Sequence, residues 1–99
     1  MSFEIIISQF AELELKQAVN YYNGKKTGLG DDFVAELDYI FEKIQKNPGM
    51  FPRVIERTQK AVLKRFPFNV YFIVVDTRVF ITAIFNTWRE PKIWRDRKI

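Results

Sequence analysis

The stretch "NVYFIVVDTRVFITAIF" (69–85) decides how the rest of the chain is read. Its first run, 69–75, is apolar on both alternations, as a strand covered on both faces must be. Its second, "RVFITAIF" (78–85), is rich in β-branched and aromatic residues, and "DT" between them leaves room only for a tight turn, so the two runs form an antiparallel hairpin. Upstream, "KAVLKRF" (60–66) has the same character and is separated by "PF", which adds a third consecutive strand.

Further toward the N-terminus the period changes. Ala11, Leu15, Ala18, Val19 and Tyr22 recur at helical offsets after Ser8, a side chain suited to capping a helix from about Gln9 to Asn23, with Gly24 as its stop. Phe33, Leu37, Ile40, Phe41 and Ile44 repeat the stripe behind Asp31 and Asp32, whose charges favour a helix N-terminus. Asn47–Pro48 ends that helix, because proline disfavours helical geometry in the residue before it. Before both helices, "FEIIIS" (3–8) reads as a first strand with Phe3, Ile5 and Ile7 on one face. The expectation is an α+β fold of order β-α-α-β-β-β, a helical hairpin on one face of a mainly antiparallel sheet. Apolar residues such as Tyr71, Ile73, Val75, Phe80 and Ile84 must then be shared between both sheet faces, so some apolar surface is expected to stay open for a partner or for self-association as a homodimer.

Ninety-nine residues with 47% apolar and 28% charged side chains make a single domain, 1–99. No basic segment precedes the short apolar run at the N-terminus, and nothing is long enough for a membrane span, so a cytoplasmic protein is expected. The chain contains neither cysteine nor histidine, which excludes disulfide frameworks, thiol nucleophiles, serine-histidine schemes and the usual zinc sites. "GLGDDF" follows a helix instead of a strand and reads as a turn, not a phosphate loop. Glu12, Glu14, Glu36, Asp38 and Glu42 fall on helix exteriors and read as a solvated face; no metal or cofactor site is expected.

Charge is unevenly placed. Residues 1–52 hold five basic and eight acidic side chains, residues 53–99 eleven and four. An anionic partner for the second half and solvated, edge-guarding lysines and arginines are two readings of equal weight. Arg53, Arg57, Lys60, Lys64, Arg65, Arg78, Arg89, Lys92, Arg95 and Arg97, with Trp88 and Trp94 interleaved, form a set able to hold phosphates and stack on unpaired bases. For the two tryptophans, packing of the C-terminal segment is the default expectation.

Taken together, "AVNYYNGKKTGLGDDFVAELDYIFEKIQKNPGMFP" (18–52), "LKRFPFNVYFIVVDTRVFITAIFN" (63–86) and "REPKIWRDR" (89–97) resemble the RelE/ParE superfamily of toxins from bacterial type II toxin–antitoxin systems, in particular its ParE-like, plasmid-stabilisation branch. The resemblance rests on a paired tyrosine, "GLG..F", "I..NP..FP", Lys64-Arg65-Phe66-Pro67, and the closing Arg89, Pro91, Trp94 and Arg97. It implies a growth-inhibiting toxin, neutralised by an antitoxin protein, that binds a target such as DNA gyrase. Two alternatives accompany it. One is a ribosome-dependent mRNA interferase of the RelE type, a metal-independent endoribonuclease in which Lys60, Lys64, Arg65 and Arg89 are the catalytic candidates. The other is a non-toxic interaction module of the same fold. Target contacts are expected from Lys60, Lys64, Arg65, Arg78, Arg89, Trp94 and Arg97. Many relatives carry a histidine after the last strand, where Asn86 stands here, and an arginine where Lys60 stands; a catalytic tyrosine near the end is missing as well. These departures favour binding over RNA cleavage.

Overall fold

The computed structural model describes residues 2–88. The elements are β1 (Glu4–Ile7), α1 (Gln9–Lys25), α2 (Leu29–Lys46), a single 3-10 turn (Pro48–Met50), β2 (Arg53–Ile55), β3 (Thr58–Val62), β4 (Phe68–Val75) and β5 (Arg78–Asn86). They form one sheet in the order β1-β5-β4-β3-β2, in which β1 runs parallel to β5 and the other pairings are antiparallel. Both helices pack on one face, giving the expected α+β order with one addition. The short strand β2 was not anticipated: its three residues are all exposed, so it shows no alternation of burial that a sequence could display.

Ser8 accounts for the sharp passage from β1 into α1. Its Oγ accepts the Ala11 amide at 3.1 Å as an N-cap, its own N–H donates to the Ile81 carbonyl at 3.0 Å, and its hydroxyl donates to the Thr82 carbonyl at 3.4 Å. α1 does not stop at Gly24 but continues to Lys25. The break falls at Gly28, whose φ of 88° is left-handed backbone that glycine adopts at no steric cost and that sets up the N-terminus of α2. The hairpin is then fastened by Asn23, whose Oδ1 accepts the Gly30 amide at 2.8 Å; a Cβ on Gly30 would lie 2.6 Å from the Asn23 side chain.

The core fills the space between helices and sheet. Phe33, Leu37 and Ile44 of α2 are fully buried against Val70 and Phe72 of β4 and Val79, Ile81 and Ile84 of β5. The strip of residues quoted for the family resemblance converges here. Tyr22 stands 5.5 Å from Phe33, 4.7 Å from Phe66 and 6.1 Å from Phe68, and Phe33 lies 5.2 and 5.0 Å from the two later rings, mostly edge to face. Burial, and secondarily the neighbouring Tyr21, pushes the Tyr22 phenol above its ordinary pKa. The "NPGMFP" segment is held in the same way from the sheet: the buried Gln59 amide donates to the carbonyls of Pro48 at 2.7 Å and Phe51 at 2.9 Å.

Ile84 and Ile81 both enter this core although they are three residues apart. A strict two-residue alternation forbids that. Between Tyr71↔Ala83 and Phe72↔Ile81 the register shifts, leaving Thr82 as the extra residue of a β-bulge, its hydroxyl donating to the Tyr71 carbonyl at 3.2 Å. The expected sharing of apolar residues between the faces is therefore real but redistributed. Ile84 belongs to the helix side; Tyr71, Ala83 and Phe85 form a separate buried cluster on the other face. Ile73, Val75 and Phe80 are half-buried beside it, and Val62 is exposed.

Two glycine substitutions test the helical turn. Gly28→Ala should lower stability by about 1–2 kcal/mol, because alanine is strained at positive φ. Gly24→Ala, in a helix with open space around the added methyl, should raise it by about 0.5–1 kcal/mol. Denaturant melts of the two variants check both signs.

Candidate functional site

The cations singled out from sequence are carried by three different parts of the sheet. Lys60 sits on β3 opposite Tyr71, half-buried, on the face away from the helices, since its neighbours Gln59 and Ala61 point into the core. Lys64 and Arg65 lie in the Leu63–Pro67 loop beyond β3, exposed, so the strand expected over 60–66 ends at Val62. The reason is local: the Leu63 amide donates to the Phe68 carbonyl at 3.0 Å and the Phe68 amide to the Phe66 carbonyl at 2.8 Å, which turns the chain around Pro67. Arg78 opens β5 and pairs with Glu4 across an exposed 3.5 Å contact. It stands at the other end of β4 from Lys64 and Arg65, about 23 Å away along the strand at the usual rise per residue. The set therefore contains one adjacent pair, one central lysine and one remote arginine. Arg89, Trp94 and Arg97 lie outside the described residues.

Two acidic residues expected on a solvated helix face have other work, which corrects that reading. The Glu36 carboxylate on α2 accepts the backbone amides of Lys64 at 2.5 Å and of Arg65 at 3.1 Å. Asp32, one turn earlier, faces the Arg65 guanidinium at 3.6 Å, and that guanidinium also lies 5.6 Å over the Phe66 ring. Glu14 on α1 accepts the Ile84 amide at 3.0 Å. Among the described residues β1 pairs with Arg78–Ile81 and no further, so the outer edge of β5 beyond the bulge faces α1, and Glu14 satisfies a donor there that a strand would otherwise take. Glu12 and Glu42 do behave as expected, forming exposed i,i+4 pairs with Lys16 and Lys46. Nothing in the sequence separates Glu14 and Glu36 from these, because the distinction depends on which strand end each helix crosses.

Trp88 is the second departure. Packing was the default for it, yet it is 84% exposed. Its amide donates to Asn86 Oδ1 at 2.8 Å, so Asn86 serves as the cap of the turn leaving β5. Trp88 stands between two clefts. One, of about 410 Å³, is bounded by the Leu63–Phe68 loop and Thr87; the other, of about 600 Å³, runs between Glu14, Gln17, Ala18, Tyr21 and Tyr22 of α1 and the Ile84–Asn86 end of β5. The α1 wall continues outward into exposed Leu13 and Tyr21. What the arrangement offers is a contact surface, with an apolar groove on one side of an indole and a cationic loop on the other. Among the described residues, no three acidic, histidine or cysteine side chains gather as a metal site would need, and no helix is long and apolar enough to cross a membrane.

A helical hairpin on one face of a mixed five-stranded sheet, with the first strand parallel to the last, is a fold that solved structures share. One of them is the "Chromosomal ParDE TA system from P. aeruginosa", a chain of which superposes with a TM-score of 0.76 at 16% sequence identity, covering 86% of this chain and 96% of that one. No protein-family model and no curated protein matches the sequence.

Glu14→Ala should cost about 1–2 kcal/mol, the loss expected when a largely buried amide loses its acceptor. Glu14→Gln, which keeps an acceptor oxygen, should cost less than half of that. Equilibrium unfolding in urea measures both, and equal losses would show that the carboxylate is not acting through the Ile84 amide.

Proposed function

We propose that this chain is the toxin of a type II toxin–antitoxin pair, ParE-like, which inhibits growth by binding a protein target such as DNA gyrase and is neutralised by a cognate antitoxin protein. The observation that carries the reading is the superposition on nearly the whole of a chain from a ParDE system. The distribution of cations supports binding over catalysis. Among the described residues, Lys60, the Lys64–Arg65 pair and Arg78 are spread along the sheet and Arg65 faces Asp32, and the sequence contains no histidine. A phosphodiester-cleaving site requires its proton-transfer groups and charge stabilisers to converge on one reacting atom. The cytoplasm is where such a target is met, and plasmid stabilisation is the physiological role that fits the ParE-like branch.

Induced expression without antitoxin should arrest growth, with trapped gyrase–DNA complexes and intact messages. Ribosome-dependent message cleavage that disappears in Lys64→Ala would replace this reading with the mRNA-interferase one. Undisturbed growth at confirmed expression would leave the non-toxic interaction module.

A further inference from the structure

The first turn of α2 has no cap of its own. An N-cap side chain ordinarily accepts one of the first amides of its helix, but the N-cap here is Gly28, which has no side chain to do so. Asn23, near the end of α1, fills that role from across the hairpin: its Oδ1 accepts the Gly30 amide at 2.8 Å. Gly30 is buried, and a Cβ on it would stand 2.6 Å from the Asn23 side chain, so the two residues are fitted to each other.

The residue after Asn23 is Gly24, a neighbour that no other asparagine of the chain has: Asn20, Asn47, Asn69 and Asn86 precede Tyr21, Pro48, Val70 and Thr87. Glycine sets no Cβ beside its own nitrogen, which leaves that nitrogen free to approach the carboxamide carbon before it. We propose that Asn23 is a site of spontaneous deamidation, with water as the co-reactant, and that its hydrogen bond to Gly30 is the gate that holds the reaction back in the folded chain. The Gly24 nitrogen bonds to Cγ of Asn23, the Cγ–Nδ2 bond breaks, and ammonia leaves with the proton given up by the Gly24 amide. Water then opens the succinimide, its hydroxyl going to one ring carbonyl carbon and its remaining proton to the ring nitrogen. Opening at Cγ yields aspartate; opening at the backbone carbonyl yields isoaspartate, with the chain routed through the former side chain.

The fold opposes ring closure at each of the reacting groups. The Gly30 amide holds the carboxamide, and the Gly24 N–H belongs to the hydrogen-bond ladder of α1. The ring also eclipses Cβ with the Gly24 nitrogen about the Cα–C bond, which requires a ψ far from the helical one. These restraints are released together when the last turn of α1 opens, a turn that Gly24 weakens and in which both residues are exposed to water. The two products differ in consequence. Aspartate keeps an acceptor for the Gly30 amide. Isoaspartate adds a backbone carbon inside the turn closed by the Lys26 amide on the Tyr22 carbonyl at 3.0 Å, so the turn loses its register and the cap its geometry.

The test follows the full chain at mildly alkaline pH by peptide mapping and mass spectrometry, in buffer and in urea. In urea the acid form should accumulate at Asn23 ahead of the other asparagines, and its failure to do so overturns the site. In buffer the rate should fall by about tenfold or more, matching within about threefold the open fraction reported by hydrogen exchange of the Gly30 amide. Equal rates in buffer and urea overturn the gate. Gly30→Ala, whose methyl displaces Asn23, should quicken the reaction in buffer by about fivefold or more, the scale for losing one hydrogen bond, and leave the urea rate unchanged. A wild-type rate for folded Gly30→Ala overturns the Gly30 bond as the gate, and a mismatch between exchange and reaction in the wild type does so even where that variant does not fold. Gly24→Ala should slow the reaction in urea; an unchanged rate overturns ring closure through residue 24. The separated isoaspartate form should melt below the aspartate form, and equal melting overturns the loss of the cap.

Discussion

Tyr22 of α1, Phe33 of α2, and Phe66 and Phe68 at the approach to β4 meet with ring centroids 4.7 to 6.1 Å apart, and the placement of every other element follows from that meeting. Aromatic rings of this size each bury a large area, and edge-to-face geometry adds directional preference to it. The knot fixes the helical hairpin against the start of β4 and, through the turn at Pro67, sets where the cationic loop emerges. The motifs that make the sequence resemble a toxin family are for the most part these rings and the glycines that let them approach. The rings and glycines encode architecture, while Lys64 and Arg65 of the same motifs stay on the surface.

That division explains what could be read from sequence. Both helical stripes and the β4–β5 hairpin were legible, because each repeats an apolar residue at a fixed period over many positions. β2 was not, since three exposed residues leave no pattern, and the bulge at Thr82 was not, since a single extra residue changes the facing of Ile84 without changing any residue type. At the candidate site the same limit operated more strongly. Lys64 and Arg65 were recognised as cations, but the anchoring of their loop depends on α2 supplying Asp32 and Glu36 at one turn's spacing toward a loop 28 residues later. Glu14, Glu12, Glu36 and Glu42 look alike on a helical wheel; only the tertiary position of a strand end distinguishes an acceptor for sheet amides from a solvated carboxylate.

Both helices thus act on the sheet in two ways. Their apolar stripes bury its face, and one carboxylate from each reaches a backbone donor at a place where strand pairing stops: Glu14 on the edge of β5, Glu36 at the end of β3. Charge-assisted bonds of this kind are stronger than neutral ones and fix the loop they hold. The clefts on either side of Trp88 open where regular pairing has been replaced by side-chain acceptors, which is why clefts rather than a continuous sheet edge are found there.

The parallel pairing of β1 with β5 also has a bearing on the order of folding. The Ser8 hydroxyl and the Thr82 carbonyl are separated by 74 residues, and among the described residues β1 pairs with no strand other than β5. During synthesis the helices and the early strands can assemble as they are made, yet β1 must wait for Arg78–Ile81 before its partner exists. Closure of the β1–β5 pairing is therefore a late event in the folding of this domain, one that no nascent chain can reach before β5 has been made.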